Sequence, residues 1–96
     1  MTKWAGLEGT AIIAAENEEY LKGKLLPREL SEAKAFSRLI SVLPESEIAA
    51  RFGALAMHDA TEGGILGALW EMAEASQTGI EIYEEKIPVR IETKKI

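Results

Sequence analysis

The chain has 96 residues, 47% of them hydrophobic, and carries 16 acidic against 11 basic side chains for a net charge of −5. That length allows one domain with a small core, and the acidic balance argues against a nucleic-acid binder, whose footprint is a basic face. The absence of cysteine excludes a disulfide framework and a thiolate zinc site, and a single histidine excludes a His-rich metal site. No apolar run approaches a membrane span and Met1–Trp4 has no signal-peptide core, so the expectation is a cytoplasmic protein with neither a nucleic-acid nor a membrane partner.

In chain order, Thr2 to Ala5 reads as a short strand and Gly6 to Gly9 as a turn. Thr10 to Lys22 reads as a helix with Ile13, Tyr20 and Leu21 on one face beside Ala14 and Asn17, although the Ile12-Ile13 pair also fits a strand. Gly23 suits a helix C-cap, and Lys24 to Leu30 reads as a linker around Pro27. Ser31 is placed as the N-cap of a helix reaching about Val42, with Phe36, Leu39, Ile40 and Leu43 at i, i+3, i+4, i+7. Pro44 breaks that pattern. Glu45 to Phe52 forms a third helix, acidic in its first turn, and Gly53 closes it in the left-handed region.

Ala54 to Met57 reads as a strand, and Glu62 to Ser76 as a helix that is apolar nearly all round, hence buried on most sides. Gln77-Thr78-Gly79 ends it. Ile80-Glu81-Ile82-Tyr83 alternates as a half-buried strand. Ile87, Val89 and Ile91 alternate again, with Pro88 marking an edge or extended segment. Strands and helices alternating imply an α/β (α+β) class, a small sheet covered by helices. Three strands leave an edge in need of a partner. The expectation is therefore a piece of a longer domain, or a subunit completed by association.

Two loops carry the chemistry. The first is Met57-His58-Asp59-Ala60-Thr61-Glu62-Gly63-Gly64, which holds the only histidine and the only aspartate. Asp59 or Thr61 can cap the following helix. Alternatively the helix N-terminus seats a phosphate or carboxylate, with a cation bridging to Asp59. His58 beside Asp59 suggests an oriented general base, but no nucleophile accompanies it, and a hydrogen-bonded structural histidine is the favoured reading. The second loop is Gly6-Leu7-Glu8-Gly9-Thr10. It lacks the lysine of a P-loop and the third glycine of a dinucleotide fingerprint. It reads either as a plain turn or as a ligand-facing one, sharing a site with the first loop if both lie at one sheet edge. Trp4 and Trp70 read as packing residues, Trp70 also as an interface candidate.

The run Met57 to Gly64, then Gly67-Ala68-Leu69, Glu71 to Ser76, Gly79 to Ile82 and Glu85 to Val89, resembles the aminoimidazole ribonucleotide (AIR) synthase superfamily. The opening Thr2 to Ala11 looks like the start of the second domain in its AIR synthase-related group. The resemblance implies two-domain proteins. In them the first domain binds magnesium and ATP and pairs with its twin, and the second closes the active site. It implies that residues 1–96 form a single partial domain, the first part of that C-terminal domain, and that its partners are an N-terminal ATP-binding domain outside the chain and a second copy in a dimer. The cofactor would be magnesium–ATP held by the parent, with none held by this piece, which would not catalyse alone. Position by position, Asp59, Thr61, Gly63 and Gly64 match the family's Asp-x-Thr-x-Gly-Gly loop. Gly6, Gly9 and Thr10 match its first glycine turn. These seven residues would face phosphate or substrate; no catalytic residue and no metal ligand is assigned. Position 62 is Glu where the related hydrogenase maturation factor, which dehydrates a carbamoyl group, typically has Arg. The alternatives are a fragment of that maturation protein or a non-catalytic assembly module built on the apolar helix around Trp70.

Overall fold

The computed structural model describes residues 1–96. The chain divides into two compact units, Met1–Ser41 with Glu85–Ile96, and Val42–Glu84.

In the first unit Gly6 sits in the left-handed region, with φ 75°, and α1 (Leu7–Glu16) starts directly after it. Leu7 to Gly9 are thus the first helical turn, where the sequence suggested loop. The buried face is Leu7, Thr10, Ala11 and Ala14, the i, i+3, i+4, i+7 spacing of a helix laid on a core. Ile13 and Tyr20, expected on that face, point outward at 43% and 66% exposure. Asn17, at φ −115° and ψ 31°, interrupts the helix before α2 (Glu18–Leu21). Gly23 is not left-handed. Instead the Leu25 N–H returns to the Leu21 carbonyl at 2.8 Å and turns the chain.

The helix α3 (Pro27–Ala35) occupies the expected linker. Pro27 presets φ in the first turn, and the Glu29 carboxylate accepts the Leu26 N–H at 3.0 Å, one half of a capping box. Ser31 therefore lies inside the helix and is exposed. A 3₁₀ turn, Phe36–Leu39, ends this arm; Phe36 is buried, but Ile40 and Leu43 of the expected stripe are exposed. The helices α1 and α3 pack on each other, and α6 (Ile91–Lys95) packs on both. One buried cluster joins Ala14, Leu21, Leu25, Leu30 and Ala33, with Ile96 against it; a second joins Leu7, Ala11 and Phe36. Burying each of those leucines contributes roughly 1.5–3 kcal/mol.

No strand forms, which overturns the α/β expectation of a small sheet covered by helices. The β structure is one isolated parallel bridge between Ala5 and Val89, with the Ala5 N–H donating to the Pro88 carbonyl at 2.9 Å. The physical reason is pairing. A strand's N–H and C=O groups need a neighbour at the right distance. Thr2–Ala5 finds one at a single residue, beside a proline that has no N–H to give. Ala54–Met57 and Ile80–Tyr83 form no ladder, and Ile80, Ile82 and Tyr83 are all exposed. Ile91 leaves the extended segment and opens α6 instead.

In the second unit α4 (Leu43–Arg51) accepts Pro44 in its first turn, where a proline lacks only an unused donor. Its end is the expected left-handed Gly53, φ 81°. The Gly53 N–H reaches the Ala50 carbonyl at 3.1 Å and the Ala54 N–H reaches Ala49 at 3.0 Å, the paired bonds of a Schellman cap. The apolar helix is α5 (Gly64–Ser76), and Gln77, at φ 52°, takes the left-handed role at its end. Only Ala68 of α5 is buried; Leu66 and Trp70 are 64% and 66% exposed. The helix is thus not covered on most sides, because the unit has too little chain around it to cover an apolar circumference.

A Cβ on Gly6 would stand 2.9 Å from Thr93 Cγ2 in a left-handed backbone, whereas one on Gly23 would meet nothing within 4 Å. Gly6→Ala is expected to lower the unfolding free energy by about 2 kcal/mol, and Gly23→Ala to stay within about 0.5 kcal/mol of the parent. Urea denaturation followed by far-ultraviolet dichroism checks both.

Candidate functional site

The first glycine turn is closed by packing. Thr10 is 4% exposed, and its hydroxyl is hydrogen-bonded to that of Thr93 on α6 at 2.9 Å. The Thr93 methyl fills the space a Gly6 side chain would take. Gly9 alone of the three has open surroundings. Just before α6, Arg90 donates to Glu32 on α3 at 3.0 Å and to Glu92 at 3.2 Å. Its guanidinium also lies over the Trp4 and Phe36 rings, 5.2 and 5.7 Å from their centroids. Lys95 completes the clasp on Glu29. Burial pushes the Glu92 carboxyl up, but its own backbone N–H and the Arg90 guanidinium outweigh burial and hold it below its ordinary 4.5. Lys95 and the Leu26 N–H hold Glu29 down as well. None of Arg90, Glu92, Glu32 and Thr93 stands out in the sequence. The Arg90–Glu32 pair spans 58 positions, so no local pattern announces it.

The second loop is open. Residues 51–64 are exposed throughout, and no side chain caps α5; its N-cap is Gly63. Asp59 and Thr61 therefore do not make the expected cap bonds. The entry is built from backbone: the Gly64 N–H bonds the Thr61 carbonyl at 3.0 Å and the Gly67 N–H bonds Gly63 at 3.0 Å. Gly64 is left-handed, φ 60°. A Cβ on Gly63 would lie 3.0 Å from the Gly67 Cα, so both glycines serve the tight turn.

His58 is not poised as a base. Its Nδ1 faces the Asp59 carbonyl at 2.6 Å and its Nε2 the Glu71 carboxylate at 2.5 Å. The Asp59 carbonyl first, then Glu71, hold its pKa above the ordinary 6.5. No group of three or more His, Asp or Glu side chains converges to hold a metal ion. No helix is long and apolar enough to cross a membrane. Gly6, Gly9 and Thr10 belong to the first unit and Asp59, Thr61, Gly63 and Gly64 to the second. The sheet edge expected to carry both turns is not formed.

Thr10→Val removes one partner of a part-buried hydroxyl pair and is expected to cost about 1 kcal/mol, with Thr10→Val/Thr93→Val costing less than the sum of the single changes. A double-mutant cycle in urea reads this. Carboxyls held down in the fold stabilise above their unfolded value and lose that contribution as pH falls through the folded value. The first unit should therefore weaken on acidification below 4.5, less steeply in Glu92→Gln, as followed by urea midpoints against pH.

Residues 1–95 match the family described as AIR synthase related protein, C-terminal domain. A curated protein of Methanocaldococcus jannaschii, named as a hydrogenase expression/formation protein, is 39% identical over 98 aligned positions that cover 93% of this chain and 28% of that protein. The chain thus spans well under half the length of this relative. No solved structure gives a significant match. With the family matched over almost its entire length, the chain belongs to the AIR synthase related proteins, as a C-terminal-domain sequence of that family.

Proposed function

We propose that this chain contributes the Asp59–Gly64 loop to the phosphate- or carboxylate-binding cleft of a larger ATP-dependent enzyme, and that it does not catalyse a reaction alone. The observation that carries this reading is the uncapped entry to α5. In a family sequence matched over residues 1–95, the Asp-x-Thr-x-Gly-Gly loop is exposed, and no side chain caps the helix behind it. The amide groups of a helix's first turn have no partner within the helix and favour an anion. Asp59 and Glu62 oppose an anion directly, so a cation between phosphate and Asp59 fits better. Magnesium–ATP would be held by residues outside this chain and would supply a transferable phosphoryl group. In the first turn the Gly9 backbone is the ligand-facing candidate, since the Thr10 hydroxyl is engaged by Thr93.

The name of the M. jannaschii relative supports hydrogenase maturation as the process served. Glu62, in place of the Arg typical of the carbamoyl-dehydrating factor, weighs against that specific reaction. A second reading, assembly, rests on a different observation: Leu66 and Trp70, one turn apart on α5, are both largely exposed. Such a pair suits an isologous contact in a dimer.

Calorimetric titration of magnesium–ATP, and of inorganic phosphate with magnesium present, into the longer protein is expected to show binding that weakens at least about tenfold in Asp59→Ala. Unchanged binding in the variant removes the loop from the cleft. In light scattering, Trp70→Glu is expected to convert a dimer into a folded monomer. An unchanged oligomeric state removes the assembly reading.

A further inference from the structure

Beside the Arg90 clasp lies an open cleft of about 370 Å³, walled by Trp4, Phe36, Leu39, Arg38 and Arg90 together with Glu32. Its surface is mostly apolar, and Trp4 keeps 38% of its area in solvent. The charge around the cleft does not balance. Glu32 is held between Arg28 at 2.9 Å and Arg90 at 3.0 Å, and Glu92 is paired with Arg90 at 3.2 Å. Arg38 is exposed and makes no ion pair or hydrogen bond within the chain. Three guanidinium groups thus meet two carboxylates, and one positive charge is left over in a chain whose net charge is −5. Donors are left over as well. The hydrogen bonds of Arg90 run from Nε and Nη2, so Nη1 is unused while the side chain is 35% exposed.

We propose that this cleft docks a segment of a partner protein that carries one carboxylate beside one aromatic or branched apolar side chain. The apolar side chain lies against Trp4, Phe36 and Leu39. The carboxylate takes the Arg38 guanidinium, whose fork matches its two oxygens. One negative charge complements the single surplus positive one, whereas a phosphate dianion would exceed it and would face Glu32 as a like charge. The composition favours a protein over a free small molecule. Tryptophan and arginine are the residues that most often dominate protein interfaces, around an apolar centre with a charged rim. Small-molecule pockets of about 300–1,000 Å³ bury most of their ligand, and this cleft is near the lower limit and open to solvent. All the lining residues belong to the first unit, so the proposal is independent of the Asp59–Gly64 loop reading.

The chain has two tryptophans, so Trp70→Phe assigns the indole N–H resonance of Trp4. The blocked peptide acetyl-Gly-Leu-Glu-Phe-Gly-amide is titrated into the isotope-labelled 96-residue chain. It is expected to move the Trp4 indole and the amides of Phe36 to Leu39, with a dissociation constant in the millimolar range. Replacing the peptide's Glu by Gln, or its Phe by Ala, should weaken binding several-fold. Arg38→Gln should do the same, and Arg38→Glu should weaken it at least about tenfold. Arg38 is exposed and unpaired, so both variants are expected to keep the parent's dichroism spectrum; Arg90 stays unchanged because it holds α6. A Trp4 resonance indifferent to the Glu peptide overturns the proposal. So does equal affinity for the Glu and Gln peptides, or binding unaltered in both Arg38 variants. Two small anions test the source. Inorganic phosphate or hydrocinnamate moving the same resonances as readily as the peptide overturns the protein partner, and weaker binding of both supports it.

Discussion

The first unit depends on the Arg90 guanidinium. It is shared by a carboxylate on α3, a carboxylate on α6 and two aromatic rings, one of them Trp4 near the start of the chain. One planar cation can do this because its donors fan out in the plane while its faces remain free for rings. Glu92, with a side chain 3% exposed, tolerates burial as an anion through its own backbone N–H and that cation. Without it, α6 would have a buried charge with no counter-ion. The Thr93 methyl under Gly6 and the Ile96 side chain on the core would then lose the helix that delivers them. Three distant stretches of sequence thus meet at one side chain.

What was legible in the sequence is what local spacing can encode. The Gly53 cap, the extent of α5 and the family motif around Asp59–Gly64 lie in short windows and are readable there. The start of α3 was equally readable, in Pro27 with Glu29 two places on, but Ser31 offered a competing cap. The strands were not readable, because alternation describes a face and not a partner. Ile80 to Tyr83 has the face but joins no sheet. The inward side of α1 misled for another reason: alanines lie inside and Ile12 and Ile13 outside. Close approach of α1 to α3 selects for small volume over hydrophobicity.

The two glycine turns look alike as patterns and differ as objects. In one, the missing side chain makes room for a methyl from another helix. In the other, it lets the backbone tighten ahead of α5 while the polar side chains remain in solvent. A search by motif cannot separate these uses; the partner of the neighbouring threonine does. Thr10 has one, whereas Thr61 contributes its backbone carbonyl to the turn. The second unit is also the weaker of the two in packing. Its helices are held chiefly by their own caps and ladders, so its cooperativity is local.

The first unit is assembled from two stretches, with residues 42–84 between them. Its closing contacts, Arg90 to Glu32 and Thr93 to Thr10, therefore form only after a long excursion of the chain has been brought back. Such non-local closure slows folding more than it weakens the folded state. The entropic cost of closure grows only with the logarithm of loop length, about 0.6 kcal/mol for each doubling. The inserted stretch can thus lengthen, shorten or diversify during evolution at little expense to its host, and the loop bearing Asp59 lies in that tolerant stretch.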